Sequence, residues 1–297
     1  MDGGCGAMCD KIGALVKTST GSRNAVAFNG GGSSKATAAS DSPVRWCGTE
    51  GGFPKAGQGR AVWSTVRANA FSRRFERAAN PETLFAQAAC GWCPSGSGSG
   101  APPNTTGAYW YPSGVDITIQ AGDHWFFTPG DGLRPLHQLI DMYHASVGTN
   151  GHLEIDFGID RTGGVDPKHA ACYAGFGGWI RSCYGTPVAQ GALKQGATSI
   201  EVPFNKPTSV DRIRLEEDQT AGQKIISYTV EAKVGGAWQA FSAGVTVGAK
   251  RIDVAEKPVT ASGMRVTVTE GFGKPTGLTL FAFAPGPCAT ADFEYEL

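Results

Sequence analysis

Apolar residues recur along this 297-residue chain in two different rhythms, and the change falls near residue 195. Before it, short apolar runs are interleaved with helical spacings. Residues 7–18 set Met8, Ile12, Leu15 and Val16 at the spacing of one helix face. Residues 24–29 are apolar between polar ends, the pattern of a short buried parallel strand. A further strand is predicted over residues 61–66, and residues 109–119 are aromatic and alternating, with Trp125, Phe126 and Phe127 after a short turn. The clearest helix spans residues 133–147, with Leu136, Leu139, Ile140, Tyr143 and Val147 on one stripe and Gly148 as its stop. Residues 152–159 read as a strand, and Asp166 is placed to cap the helix after it.

From residue 198 onward the period shortens to two. Ile200/Val202, Val210/Ile213/Leu215, Ile226/Tyr228/Val230, Val245/Val247, Met264/Val266/Val268 and Leu278/Leu280/Phe281 mark short strands, with turns such as Gly235-Gly236 between them. This is the grammar of an antiparallel sandwich. Two domains are therefore expected, residues 1–195 and residues 196–297. Residues 30–43 and 94–106 are rich in Gly, Ser, Thr and Pro without periodicity and are expected as surface loops.

Composition narrows the partners. With 26 basic and 26 acidic residues the chain has no net field to steer it toward nucleic acid or an anionic membrane, and neither is expected as a partner. No apolar run approaches the length of a transmembrane helix, so no membrane insertion is expected. The first ten residues lack the basic region and apolar core of a signal peptide. Eight cysteines are an even number; Cys90-Gly-Trp-Cys93 has zinc-knuckle spacing, but no second pair follows at ligand distance. A disulfide or two is expected instead of a metal, and the glycosylation sequon Asn104-Thr105-Thr106 agrees with a secreted protein.

Candidate chemistry lies in Val44-Arg-Trp-Cys-Gly-Thr-Glu-Gly-Gly52, where Glu50 sits in a Gly-rich loop behind Trp46. A lone loop Glu is ordinarily a solvated surface residue. A second carboxylate, Asp2 in Met1-Asp-Gly-Gly-Cys-Gly6, changes that weighting. Loop Asp, helix, strand and loop Glu, in that order, are how two successive βα units of a barrel present a carboxyl pair.

These segments resemble, in order, the α-L-fucosidases of glycoside hydrolase family 29, in the plant and bacterial branch with a C-terminal sandwich. The resemblance rests on Met1-Asp-Gly-Gly-Cys-Gly6, Asn24-Ala-Val-Ala-Phe28, Arg45-Trp-Cys-Gly-Thr-Glu50, Trp63-Ser-Thr65, Tyr109-Trp-Tyr-Pro112, Asp116-Ile-Thr-Ile119, Trp125-Phe126 and Tyr143-His-Ala-Ser-Val-Gly-Thr-Asn150. Gln223, Tyr228-Thr-Val-Glu231, Trp238 and Lys250-Arg-Ile252 are similar to discoidin-like, galactose-binding-type sandwiches. The fold implied is the C-terminal half of a (β/α)8 TIM barrel followed by an all-β jelly roll.

The function implied is retaining hydrolysis of terminal α-L-fucose from oligosaccharide or glycoprotein glycans, without a cofactor or metal. Asp2 matches the family's nucleophile and Glu50 its acid/base. Trp125 and then Trp46 are candidate walls for the C6 methyl of the sugar. Departures accompany the match. Gly114 stands where the family carries a Glu, Leu153-Glu-Ile-Asp156 replaces Leu-Leu-Leu-Asn, and Gly158-Ile159 replaces Pro-Pro. The family's Trp before the nucleophile would fall ahead of Met1. The expectation is an N-terminally truncated fucosidase from the extracellular space, lysosome or vacuole, with little activity by itself. The alternative is a non-catalytic carbohydrate-binding protein.

Overall fold

The computed structural model describes residues 27–28, 43–46, 51–52, 65–66, 109–110, 113–220, 223–271 and 273–286. The helix expected over residues 7–18, the insertion at 94–106 and the Asn104 sequon lie outside them.

The first described unit is a parallel sheet. Strands β1 (Ala27–Phe28), β2 (Pro43–Trp46), β5 (Ser113–Thr118) and β6 (Gly151–Asp156) pair in that order, and all three pairings are parallel. A separate antiparallel pair joins β3 (Thr65–Val66) to β4 (Tyr109–Trp110). Strand side chains alternate between faces, so one register decides what each face is made of. Ile117 and then Ile119 are fully buried against helix residues, and Val115 is buried in the same alternation, which assigns the odd positions of β5 to the helix side. Asp116, Thr118 and Gln120 take the opposite face.

Two helices cover the apolar side. Helix α1 (Leu136–Ser146) follows Pro135 and buries Leu136, Leu139, Ile140, Met142 and Tyr143, which reproduces the stripe read from the sequence and adds Met142. Helix α2 (Pro167–Tyr184) begins as expected at Asp166, whose Oδ1 accepts from the Lys168 N–H at 2.7 Å, with Pro167 in the first turn where its missing N–H costs nothing. Along α2, Cys172, Phe176, Trp179, Cys183 and Tyr184 are buried in one aromatic-rich cluster with α1. Cys183 is disulfide-bonded.

The second unit is a six-stranded antiparallel sheet in the order β10-β9-β11-β8-β12-β7. Its strands are β7 (Ala189–Leu193), β8 (Ser199–Glu217), β9 (Ile225–Val234), β10 (Ala237–Val245), β11 (Arg251–Gly271) and β12 (Leu278–Phe283). Strands β9 and β10 meet at Gly235-Gly236, with φ of 58° and 89°; two left-handed residues are what a two-residue hairpin requires. The motifs Ile200/Val202 and Val210/Ile213/Leu215 belong to one long strand, β8. Its register against β11 jumps between the Val210/Val259 and Arg212/Val254 pairs and again between Thr208/Ala261 and Pro203/Gly263. Extra residues at each jump bend the long strands, so that β9 pairs with the C-terminal part of β11 and β12 with the C-terminal part of β8. Strand β7 pairs with β12 although it precedes residue 196.

The two units share a seam. The Ile252 N–H donates to the Gly148 carbonyl at 2.8 Å, and the Ala249 N–H donates to Asn150 Oδ1 at 2.7 Å. Ile252 and Phe283 complete the aromatic cluster under α1 and α2. His144 Nε2 lies 2.5 Å from the Tyr184 hydroxyl, and the Arg212 guanidinium sits 5.5 Å from the Tyr184 ring centroid.

Candidate active site

Parallel strands deliver functional groups at their C-terminal ends, where the loops to the next helix begin. Trp46 is the last residue of β2, in register with Gly114 of β5. Trp125 lies, half-buried, in the loop that leaves β5. Each of these two sequence-derived site residues thus lies at or beyond the C-terminal end of a strand, Trp46 level with the start of β5 and Trp125 past its end. Asp2 and Glu50 lie outside the described residues.

Polar groups rooted in the sheet hold the loop carrying Trp125. Phe126 is 87% exposed. Gln120, fully buried just past β5, donates from Nε2 to the His124 carbonyl at 2.5 Å and to the Phe126 carbonyl at 3.1 Å. The Thr118 hydroxyl adds a second bond to the His124 carbonyl at 2.8 Å. Arg134 Nε donates to the Thr118 carbonyl at 2.7 Å, and the Arg134 N–H to the Ile119 carbonyl at 3.0 Å, which closes the loop at its base. His124 Nδ1 and Asp131 Oδ2, 2.6 Å apart, tie the outer part together. Beside it, the backbone of Phe127 packs so tightly on Gly158 that a Cβ there would overlap it, so the loops after β5 and β6 form one rim.

Beneath this rim the non-helical face of the sheet is acidic. Asp116 of β5 is in register with Glu154 of β6, and Thr118 with Asp156. Burial raises the Glu154 carboxyl above its ordinary range, and the charges of Asp156 and Asp116 add to this while His152 opposes it. Asp156 is likewise raised, first by burial and then by Asp116. Glu154 and Asp156 therefore hold their protons more tightly than solvated carboxyls do. Among the described residues no group of three or more His, Cys, Asp or Glu is arranged to hold a metal.

The Glu50 segment has one described anchor. Gly52 adopts φ 75°, and a Cβ there would come within 2.7 Å of Ile117 Cγ2 and 2.8 Å of Met142 Cγ. Glycine is required on both counts. Sequence reasoning missed the acidic face and the Gln120 bonds. The first was visible as Asp116 and Thr118 alternating with Val115 and Ile117; a glutamine in sequence gives no sign of which carbonyls it will reach.

Comparison with known proteins bears on what this rim is. No protein-family model matches the chain. Over 243 residues it is 23% identical to α-L-fucosidase 1 of Arabidopsis thaliana, covering 70% of this chain and 43% of that protein. A crystal structure of a candidate α-L-fucosidase from Bacteroides thetaiotaomicron superposes with a TM-score of 0.66 at 26% identity, over 82% of this chain and 51% of that one. This chain is thus similar in sequence and fold to α-L-fucosidases, glycoside hydrolase family 29 members among them. A Ruminococcus gnavus family 29 fucosidase in complex with fucose has the same fold, with a TM-score of 0.60 at 22% identity over 88% of this chain and 53% of that one. The chain thus spans about half the length of the relatives it matches.

Proposed function

We propose that this chain carries the carboxyl pair of a retaining α-L-fucosidase acting on fucosylated oligosaccharides or glycoprotein glycans. The observation that carries the reading is the order of the parallel strands. Three resembling segments, at Ala27–Phe28, Arg45–Trp46 and Asp116–Thr118, follow one another across one parallel sheet, and Trp46 and Trp125 each lie at or beyond the C-terminal end of a strand, where such folds bind substrate. In this reading the parallel unit is part of a (β/α)8 barrel, its acidic face turned to the interior. The antiparallel unit is a discoidin-like sandwich whose long strands cross between its layers at the bulges. The domain boundary falls in the segment between α2 and β8. The disulfide at Cys183 supports an oxidising compartment, outside the cell or in a lysosome or vacuole.

Asp2 attacks the anomeric carbon while Glu50 protonates the departing glycosidic oxygen; Glu50 then deprotonates the water that releases fucose. For retention the two carboxyls stand about 5–5.5 Å apart across the sugar. Glu50 must begin protonated, which the Asp2 charge and an aromatic neighbour such as Trp46 favour. Trp125 faces the C6 methyl. Gly52, two residues beyond Glu50, anchors that loop on β5 and α1.

The test is release of 4-nitrophenol from the aryl α-L-fucoside by this chain and by the longest open-frame polypeptide that contains it. Asp2→Ala and Glu50→Ala are assayed beside them. Turnover that falls at least 1,000-fold in Asp2→Ala, on the order expected for losing a nucleophile, supports the assignment. Turnover indifferent to Asp2→Ala overturns it. Failure of every form to cleave the fucoside, with glycan binding retained, makes this a carbohydrate-binding protein.

A further inference from the structure

We propose that Gln120 is a positioning residue for Trp125, and through it sets the preference for a 6-deoxy sugar over its 6-hydroxy counterpart. The inference rests on the reading of Trp125 as the wall of the methyl pocket.

Gln120 continues the alternation of β5 on the face of Asp116 and Thr118, and it is fully buried. A buried primary amide is costly unless its donors and acceptor are met. Here both Nε2 bonds go to one loop: the acceptors are the carbonyls of His124 and Phe126, which flank Trp125 in sequence. Oε1 faces the same loop, with the Thr128 N–H at 3.5 Å. Thr118 Oγ doubles the bond to the His124 carbonyl and also accepts from the Gln120 N–H at 3.3 Å.

Among the described residues of this loop, Phe126 is 87% exposed, while Phe127 stands edge-on to His169 with ring centroids 6.1 Å apart. The backbone on either side of Trp125 is thus held by a side chain rooted in the sheet. A backbone held on both sides limits where the indole can stand relative to the strand ends. That matters for C6 recognition, since an apolar wall distinguishes methyl from hydroxymethyl by about 10–200-fold only when it stays in van der Waals contact.

The experiment compares hydrolysis of aryl α-L-fucoside with aryl α-L-galactoside, which differs by one hydroxyl at C6, in the active polypeptide. Gln120→Met keeps the length and removes both donors; Trp125→Ala removes the wall. Thr118→Val, which deletes the second bond to the His124 carbonyl and the acceptor for the Gln120 N–H, is the fallback if Gln120→Met does not fold. Hydrogen exchange of residues 124–128 is followed in each.

The expected result for Gln120→Met is at least a tenfold narrowing of the fucoside preference, entering through a higher KM for the fucoside with kcat within threefold. Faster exchange across residues 124–128 should accompany it, and Thr118→Val should move both readouts in the same direction but less. Unchanged exchange in Gln120→Met overturns the positioning role. Faster exchange with an unchanged preference, while Trp125→Ala narrows it, overturns the link to specificity. An unchanged preference in Trp125→Ala overturns the methyl-wall reading itself, and the specificity half of this proposal with it.

Discussion

The two sheets bury acidic groups in opposite ways. In the antiparallel unit, Asp253 is met on every side. It accepts from the Tyr228 hydroxyl at 2.8 and 3.0 Å, from Ser242 Oγ at 2.7 Å and from Arg251 Nε at 2.8 Å. Glu217 accepts three backbone N–H groups, those of Lys224, Ile225 and Gly248, at 2.5, 2.9 and 3.1 Å. In the parallel unit, Asp116, Glu154 and Asp156 share a face, and each of the latter two is raised in part by its acidic neighbours. The first arrangement trades desolvation for complete hydrogen bonding and fixes a fold. The second keeps like charges together, which adds nothing to stability and is the arrangement tolerated where a sheet face serves a site.

Removing a partner should therefore be far more damaging in the antiparallel unit. Asp253→Ala removes the carboxylate that the buried Arg251 Nε and the Tyr228 hydroxyl share. The expected loss is about 3–5 kcal/mol in the unfolding free energy of the full chain, read from urea denaturation. A loss below about 1 kcal/mol would mean that this network is solvated in solution and that the contrast between the sheets is wrong.

Gly52→Ala tests whether the parallel unit is as tightly determined where it carries the Glu50 loop. A left-handed alanine costs roughly 1–2 kcal/mol, and the crowding against Ile117 and Met142 adds about 1–3 kcal/mol. Thermal unfolding should show the sum, and any fucoside turnover should fall with it. Full stability together with unchanged turnover would remove Gly52 from both arguments.

Two buried groups at or near the seam give the pH dependence. Burial pushes Glu217 from 4.5 up to about 7, against the pull of its three N–H donors and of Lys224. Its contribution to stability is complete below 4.5 and lost as the pH rises to about 7, because the folded form keeps a proton that the unfolded chain releases. Burial pulls His144 from 6.5 down to about 4, with the Arg212 charge helping. That contribution is present above 6.5 and lost as the pH falls to about 4. The windows overlap with opposite signs, so these two contributions nearly cancel between pH 4.5 and 6.5. Glu217→Gln should become more stable with rising pH and His144→Gln less stable, each by up to about 3 kcal/mol. Urea midpoints at pH 4, 5.5 and 7 decide it, and parallel profiles for both variants would show that neither group governs the seam.

The sequence displayed the apolar skeleton well because periodicity follows from burial. The α1 stripe, the Asp166 cap and the Gly235-Gly236 hairpin each needed only local residues. Strand β7 was illegible for a physical reason: Ala-Gln-Gly-Ala-Leu offers almost no apolar alternation. Its Gly191 is needed because a Cβ there would stand 2.7 Å from Val202 Cγ2. The continuity of β8 was hidden as well, since Asn205-Lys-Pro-Thr208 looks like a break but lies within a strand. The site was legible only as residue types; which carbonyls Gln120 holds, and which carboxyls share a face, depend on register and loop closure.

The smallest expected effect is the sharpest test of what separates the two sheets. Glu154→Gln removes one carboxyl from the acidic face while keeping its size. Burial, Asp156 and Asp116 all disfavour ionised Glu154, and His152 opposes them more weakly. The folded chain therefore holds this proton more tightly than the unfolded chain does, and the residue's contribution to stability declines as the pH rises. A glutamine has no such decline. At pH 4 the variant and the wild type should unfold together; at pH 7 the variant should be the more stable, by no more than about 1 kcal/mol. The sign is opposite to that for Asp253→Ala, although both substitutions delete a partly or fully buried carboxyl. A Glu154→Gln variant that is less stable at pH 7 would mean that the carboxylate is held by favourable partners, as Asp253 is, and that the acidic face is part of the scaffold rather than of a site.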